Sequence, residues 1–175
     1  HWLEPRDGGL YVDGTFGAGG YTRAVLGVEG TRVLAVDRDP TAREAADAVM
    51  RAYPQRFALA QGPFSLMADV IERAGSSGVD GVMLDLGVSS MQIDRPERGF
   101  SFAKDGPLDM RMSIEGPSVA DAVNHLEPDE LAAIFRVYGE DKRARRAAQF
   151  ICEARAEAPI ETTGRLAEIV SRAVG

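Results

Sequence analysis

The sequence predicts an open α/β fold that gives way to an all-helical segment, and three observations predict it. Short apolar runs ending on or near acids, "LYVD", "RVLAVD" and "DGVMLDLG", alternate with helical stretches, as the strands of a covered parallel sheet do. Gly14, Gly17, Gly19 and Gly20 crowd the turn after the first run, in "YVDGTFGAGGYT". From Ser118 onward the apolar spacing becomes that of helices.

Taken in order, "LYVD" reads as a buried strand that leads into the glycine turn, and "GGYTRAVLG" as a brief helix stopped by Gly27. "RVLAVD" is a second strand ending on Asp37, which completes a βαβ unit. The next helix is predicted to start on Asp39 as N-cap with Pro40 at its first position, and to run to Pro54. "RFALAQG" is a third strand, "PFSLMADVIERAG" a third helix, and "DGVMLDLG" a fourth strand with Asp85 near its C-terminal end. The long segment "GVSSMQIDRPERGFSFAKDGPLDMRMS" reads as a functional loop, because structureless stretches of that length are uncommon as mere connectors. Beyond it, Leu131, Ile134, Phe135 and Tyr138, and again Leu166, Ile169, Val170 and Ala173, fall at i, i+3, i+4, i+7 and read as helical core, with a helix over "KRARRAAQFICEARAE" between them. The domains expected are 1–112, an α/β core of four strands, and 113–175, a helical module.

Composition narrows the function classes. The chain has 175 residues, 45% of them hydrophobic and 27% charged, which suits a globular protein of one or two domains. No stretch approaches the ~18 apolar residues of a membrane span, and "HWLEPRDGG" lacks the basic and apolar regions of a secretion signal, so a cytoplasmic protein is expected. One cysteine, Cys152, excludes a disulfide framework and a cysteine-ligated zinc site, and it reads as a buried free thiol. His1 and His125 stand far apart, without metal-ligand spacing. A net charge of −7 argues against nonspecific coating of nucleic acid and leaves only local basic patches for phosphates. The abrupt beginning and the end at "SRAVG" read as a trimmed chain.

Backbone amides on a glycine turn can hold phosphate, carboxylate or a ribose edge, and Asp37, about twenty residues on, stands where an acid can hydrogen-bond a ribose diol. A dinucleotide would want G-x-G-x-x-G, but Thr22 occupies the third glycine's place. S-Adenosylmethionine has no pyrophosphate and tolerates a looser pattern. Both ligands stay open on the glycines alone, as does a turn that binds nothing. Asp85 adds a second acid on the edge of the sheet where ligands bind.

"DGTFGAGGYT", "LAVDRDP", "GPFS", "DLGVSSMQID", "RGFSF" and "DGPLDMRM" occur in that order, over most of residues 10 to 112. Together they closely resemble the bacterial small-subunit ribosomal RNA methyltransferase H family, which uses S-adenosyl-L-methionine to methylate N4 of a decoding-region cytosine. The resemblance implies a Rossmann-like class I methyltransferase sheet, interrupted after its fourth strand by an inserted all-helical domain. It implies cofactor contacts at Gly19, Gly20, Tyr21, Asp37, Phe64, Asp85 and Gln92, with Asp37 at the ribose, Phe64 at adenine, and Asp85 and Gln92 at the donor's polar end. Tyr21 stands where the family usually has histidine, and Met91 where it has proline. The family's later strands and substrate-side motifs do not occur in these residues, so an incomplete sheet and weak or absent activity are expected of this chain alone.

The partner implied is small-subunit ribosomal RNA or the assembled subunit. N4 of cytosine is a poor nucleophile, so positioning and a proton acceptor must carry the catalysis; Asp85, Ser89, Ser90 and Asp109 are the candidates, with no choice among them. Arg95, Arg98, Lys104 and Arg111 in the loop, and Lys142, Arg143, Arg145 and Arg146 in the helices, are candidate phosphate contacts. Two other classes remain: a nicotinamide-dependent oxidoreductase and a non-catalytic RNA-binding module.

Overall fold

The computed structural model describes residues 3–101 and 103–175; His1, and Phe102 at the end of "RGFSF", lie outside the described residues. By its packing the chain divides into two compact units. One runs to Met91 and takes in Met112–Ile114; the other comprises Gln92–Arg111 and Glu115–Gly175. The loop segment 92–111 thus clusters with the helices, whereas the sequence reading leaves it with the sheet.

The first unit is a parallel four-stranded sheet of β1 (Leu10–Asp13), β2 (Arg32–Asp37), β3 (Phe57–Gln61) and β4 (Gly81–Met83), in the order β3-β2-β1-β4. Helices α1 (Gly20–Leu26), α2 (Ala42–Ala52) and α3 (Met67–Arg73) connect the strands, the last entered through a 3-10 turn at Phe64–Leu66. All of β1 is buried, which its unbroken apolar run dictates. The core joins Tyr11, Phe16, Val25, Leu26, Val33 and Val49, and the rings of Phe16 and Phe57 meet at 5.3 Å between centroids. Truncating one such side chain, as in Leu26→Ala, costs about 2–5 kcal/mol. The Arg56 guanidinium closes the α1–β2 connection by donating to the carbonyls of Leu26, Val28 and Thr31.

The structure differs from the expected elements at α2 and at β4. Helix α2 starts at Ala42, not after Asp39: the Asp39 carboxylate accepts the Thr41 N–H at 3.0 Å and its hydroxyl at 2.8 Å. Such a local side-chain turn competes with helix, and tight bonds from Ala42 to Asp39 and from Arg43 to Pro40 lead in instead. The fourth strand is only three residues long, so Asp85 lies past its end.

A helical turn, α4 (Ser90–Ile93), and a 3-10 turn at Pro96–Arg98 organise the start of the long segment. The second unit's main helices are α5 (Val119–His125), α6 (Pro128–Val137), α7 (Ala144–Glu157) and α8 (Thr163–Val174). Ser118 caps α5 in a reciprocal box with Asp121, and Asp105 accepts the Gly164 N–H at the start of α8. The core gathers Leu108, Val123, Leu131, Ile151, Ile160 and Ile169. Leu108 is held by its N–H to Glu161 O, beside an isolated antiparallel bridge between Pro107 and Thr162. Among the described residues, 118–175 add no strand to the sheet.

The α8 stripe packs as expected. The α6 stripe does so only in part: Leu131 is buried and Phe135 packs on the core, but Ile134 is 39% and Tyr138 84% exposed. Tyr138 is the residue after α6, where the chain turns away, so the period outruns the face that is covered. Cys152 is a half-buried free thiol against this core, more open than expected.

Candidate functional site

The chain winds outward from β1 through β2 to β3 and then crosses back to place β4 on the other side of β1. Strand order therefore reverses between β1 and β4, and ligands of open α/β sheets bind outside the carboxyl ends of strands at such a point. Asp13, the glycine turn, Asp37 and Asp85 all come from these carboxyl ends in the first unit.

The turn is built tightly. Gly14 donates to Met83 O at 2.9 Å and Phe16 to Val36 O at 3.2 Å, which ties it to the strands on either side. Gly19, with φ of 78°, takes the left-handed conformation just before α1, and a Cβ there would stand 2.8 Å from the Phe16 ring. Only glycine meets both demands. Gly20 opens α1 with free space where a Cβ would be, and Tyr21 is 57% exposed.

Asp37 fastens this turn to β2. Its carboxylate accepts the Gly17 N–H at 2.6 Å through one oxygen and the Asp39 N–H at 2.8 Å through the other. A carboxylate has about four lone-pair directions, so each oxygen keeps capacity for another donor. Phe64 starts the 3-10 turn half exposed, and its Cβ lies 3.3 Å from the place a Cβ on Gly14 would occupy, beside Met67 and Leu84. The backbone N–H of Asp85 donates to Thr15 Oγ at 2.7 Å, while its carboxylate is exposed and has no partner among the described residues.

Six of the seven expected cofactor residues thus stand in the first unit: Gly19, Gly20, Tyr21, Asp37, Phe64 and Asp85. Gln92 is buried and belongs to the second. Ser89 and Ser90 follow β4 in the first unit. Asp109, in the second, is bound to Arg111, whose guanidinium approaches to 2.6 Å. That hydrogen bond holds the Asp109 carboxyl below the usual carboxylate range, which weakens it as a proton acceptor. Arg98 is likewise engaged, donating to Arg111 O at 2.8 Å. Among the described residues, no group of histidines, cysteines and acids could hold a metal ion.

Sequence reasoning assigns no role to Asp13 and Thr22. Asp13 is fully buried at the end of β1, where its carboxylate accepts the Thr22 hydroxyl at 2.7 Å and the Thr15 N–H at 3.2 Å. Burial pushes its pKa up, the bonds to Thr22 and Thr15 oppose this, and the charge of Asp37 adds to it. The signal is an acid at the end of an apolar strand, two residues before a threonine. Thr22 also explains the missing third glycine: its hydroxyl bonds Asp13 where a dinucleotide fold would pack bare backbone.

The second unit has its own open groove of about 680 Å³, lined in part by Asp109, Arg111, Asn124 and Arg155. These groups are turned to structural partners. Arg155 donates to the carbonyls of Val123 and Leu126, and Asn124 exchanges bonds with Ile160.

The sequence model of the MraW methylase family matches residues 1–175. Curated relatives named ribosomal RNA small subunit methyltransferase H include one from Maricaulis maris, 59% identical over the whole chain and 52% of its own length. Another, from Parvibaculum lavamentivorans, is 55% identical over 98% of the chain and 51% of its own length. A third, from Paramagnetospirillum magneticum, is 53% identical over 98% of the chain and 54% of its own length. The chain spans about half the length of the curated relatives it matches.

Proposed function

Since the chain belongs to the MraW methylase family, we propose that it carries the S-adenosylmethionine-binding part of an enzyme that methylates N4 of a cytosine in the decoding region of small-subunit ribosomal RNA. The substrate is the RNA or the assembled subunit, and the place of action is the cytoplasm. The observation that carries the reading is Asp37, bonded to Gly17 of the glycine turn at the point where strand order reverses.

The residues present fit the cofactor. Asp37 retains acceptor capacity for a ribose diol, Phe64 offers an exposed face to adenine, and the Gly19 to Tyr21 backbone borders the remaining polar end together with Asp85. When bound, S-adenosylmethionine supplies a methyl group on a positively charged sulfur. The chain's own part is to hold the acceptor amine in line with that methyl and to take up or polarise one amine proton. Asp109 is the weakest of the four candidate acceptors because Arg111 already holds it; Asp85, Ser89 and Ser90 follow β4 in the first unit.

Calorimetric titration of the chain with S-adenosylmethionine tests the first half of the reading, and saturable one-to-one binding is expected. For the second half, small subunits from a strain lacking the enzyme would be offered labelled methyl donor. The full-length parent should label a cytosine, and the 175-residue chain should do so poorly or not at all. Label on another base or on protein would overturn the substrate, and binding of a nicotinamide dinucleotide in place of the methyl donor would overturn the cofactor.

A further inference from the structure

The second unit carries a concentrated basic surface. Lys142, Arg143, Arg145 and Arg146 form a run of exposed cations where α6 gives way to α7. None of them is paired with an Asp or Glu carboxylate among the described residues, and Arg143 donates to Gly175 O at the end of α8 at 3.4 Å. Of the two acids beside the run, Asp141 turns its carboxylate to the Arg143 backbone N–H at 2.7 Å, while Glu140 is exposed, so the four cations keep one close acidic neighbour. The first turn of α7 contains no acidic residue, and cations at that end of a helix oppose its dipole.

Packing gathers a further charge. Arg146 of α7 and Arg172 of α8 both stand over the Phe150 ring, at 5.5 and 6.0 Å from its centroid. Two like charges are thus collected on one ring. Beside the run, Tyr138 is 84% and Val137 66% exposed. Tyr138 directly follows α6, and the connection folds back tightly, with Asp141 donating to Phe135 O at 3.2 Å and Ala144 to Asp141 O at 3.3 Å. An open aromatic ring a few residues along the chain from a run of exposed cations offers both stacking and phosphate binding, the pairing that single-stranded nucleic acid uses. In a chain of net charge −7 the patch is a local concentration of positive charge.

We infer that the corner between α6 and α7 is an RNA-binding surface, in which Lys142, Arg143, Arg145 and Arg146 contact backbone phosphates and Tyr138 stacks on an unpaired base. This rests on the reading of the protein as a ribosomal RNA methyltransferase for the identity of its partner, and it assigns to the helical unit the grip on RNA outside the reacting base.

The test is fluorescence anisotropy of the 175-residue chain with a labelled single-stranded oligoribonucleotide from small-subunit ribosomal RNA, across a range of KCl concentrations, with a titration of S-adenosylmethionine on every variant. Arg143→Ala combined with Arg146→Ala should flatten the dependence of log affinity on log salt by about 1.4, roughly 0.7 for each phosphate that a single strand no longer has neutralised. Tyr138→Ala should lower affinity about tenfold with the salt slope unchanged, since stacking releases no counterions. Arg51→Ala, an exposed cation on α2, should leave affinity and slope as they are. Unaltered affinity and slope in the double variant overturn the proposal, as does failure of the parent chain to bind RNA at low salt. If cofactor binding persists in those cases, the methyltransferase reading stands without this surface; if RNA binding follows the predicted pattern while cofactor binding is absent, the surface stands and that reading falls.

Discussion

Asp37 has an architectural role in the structure, and the proposed cofactor site gives it a second one. It already accepts two backbone N–H groups, so Asp37→Ala removes a charge-assisted acceptor from a bound ribose and also loosens the glycine turn. Affinity for S-adenosylmethionine should fall by about 1.5–3 kcal/mol, read by calorimetry, and the melting temperature of the ligand-free chain should fall as well; unchanged affinity would remove Asp37 from the site. Asp13 makes the opposite kind of prediction. Burial raises its folded pKa, so the folded state holds this proton more tightly than the unfolded chain does. Its contribution to stability is therefore fully present below the unfolded value of about 3.9 and is lost as pH rises through the folded value. Asp13→Asn cannot titrate, so the stability gap between the parent and this variant should narrow as pH climbs through that window. Denaturant melts at a series of pH values measure it; a gap that widened would mean that the bonds from Thr22 and Thr15 outweigh the desolvation.

At the scale of elements, the second unit depends on caps and on one loop residue. Ser118 and Asp121 satisfy each other's backbone donors at the start of α5, and Ser118→Ala should cost about 1 kcal/mol. The Ser118 N–H holds the Asp121 carboxyl below its usual value, so this cap contributes above the unfolded pKa and weakens as pH falls through the folded one. Gly99 closes the 3-10 turn with φ of 73°, and a Cβ there would press on the backbone of Pro107 and Asp109. Gly99→Ala should therefore destabilise this unit by about 1–3 kcal/mol, seen as a lower urea midpoint for its unfolding. An unchanged midpoint would show that the loop yields without cost.

For the whole molecule, the decisive fact is the edge of the sheet. Strand β4 is one of its two edge strands, and around it Val82, Leu84, Leu86 and Val88 are 46%, 45%, 68% and 47% exposed. An open strand edge with apolar side chains is a template for pairing with another chain. The isolated 175-residue chain should accordingly self-associate as its concentration rises, and Val82→Lys should suppress this, because a charge at the edge opposes pairing. Light scattering after size exclusion decides it; a parent chain that stayed monomeric at high concentration would show that this edge is protected.

The sequence by itself determined the local elements. β1 and β2 are legible because a buried parallel strand is an apolar run with an abrupt end, and α1 because glycines flank a short helical stretch. It also determined the family, since six motifs in order constrain far more than any one. Contacts between residues distant in the chain are legible only in the tertiary structure. Asp13 with Thr22, and Asp37 with Gly17, depend on backbone geometry that no period encodes. The start of α2 escapes a sequence reading because the bond from Thr41 to Asp39 competes with helix there. Tyr138 reads as core in the sequence and stands open in the structure, because a helical period marks which residues share a face, whereas only packing decides how far along that face a neighbour reaches.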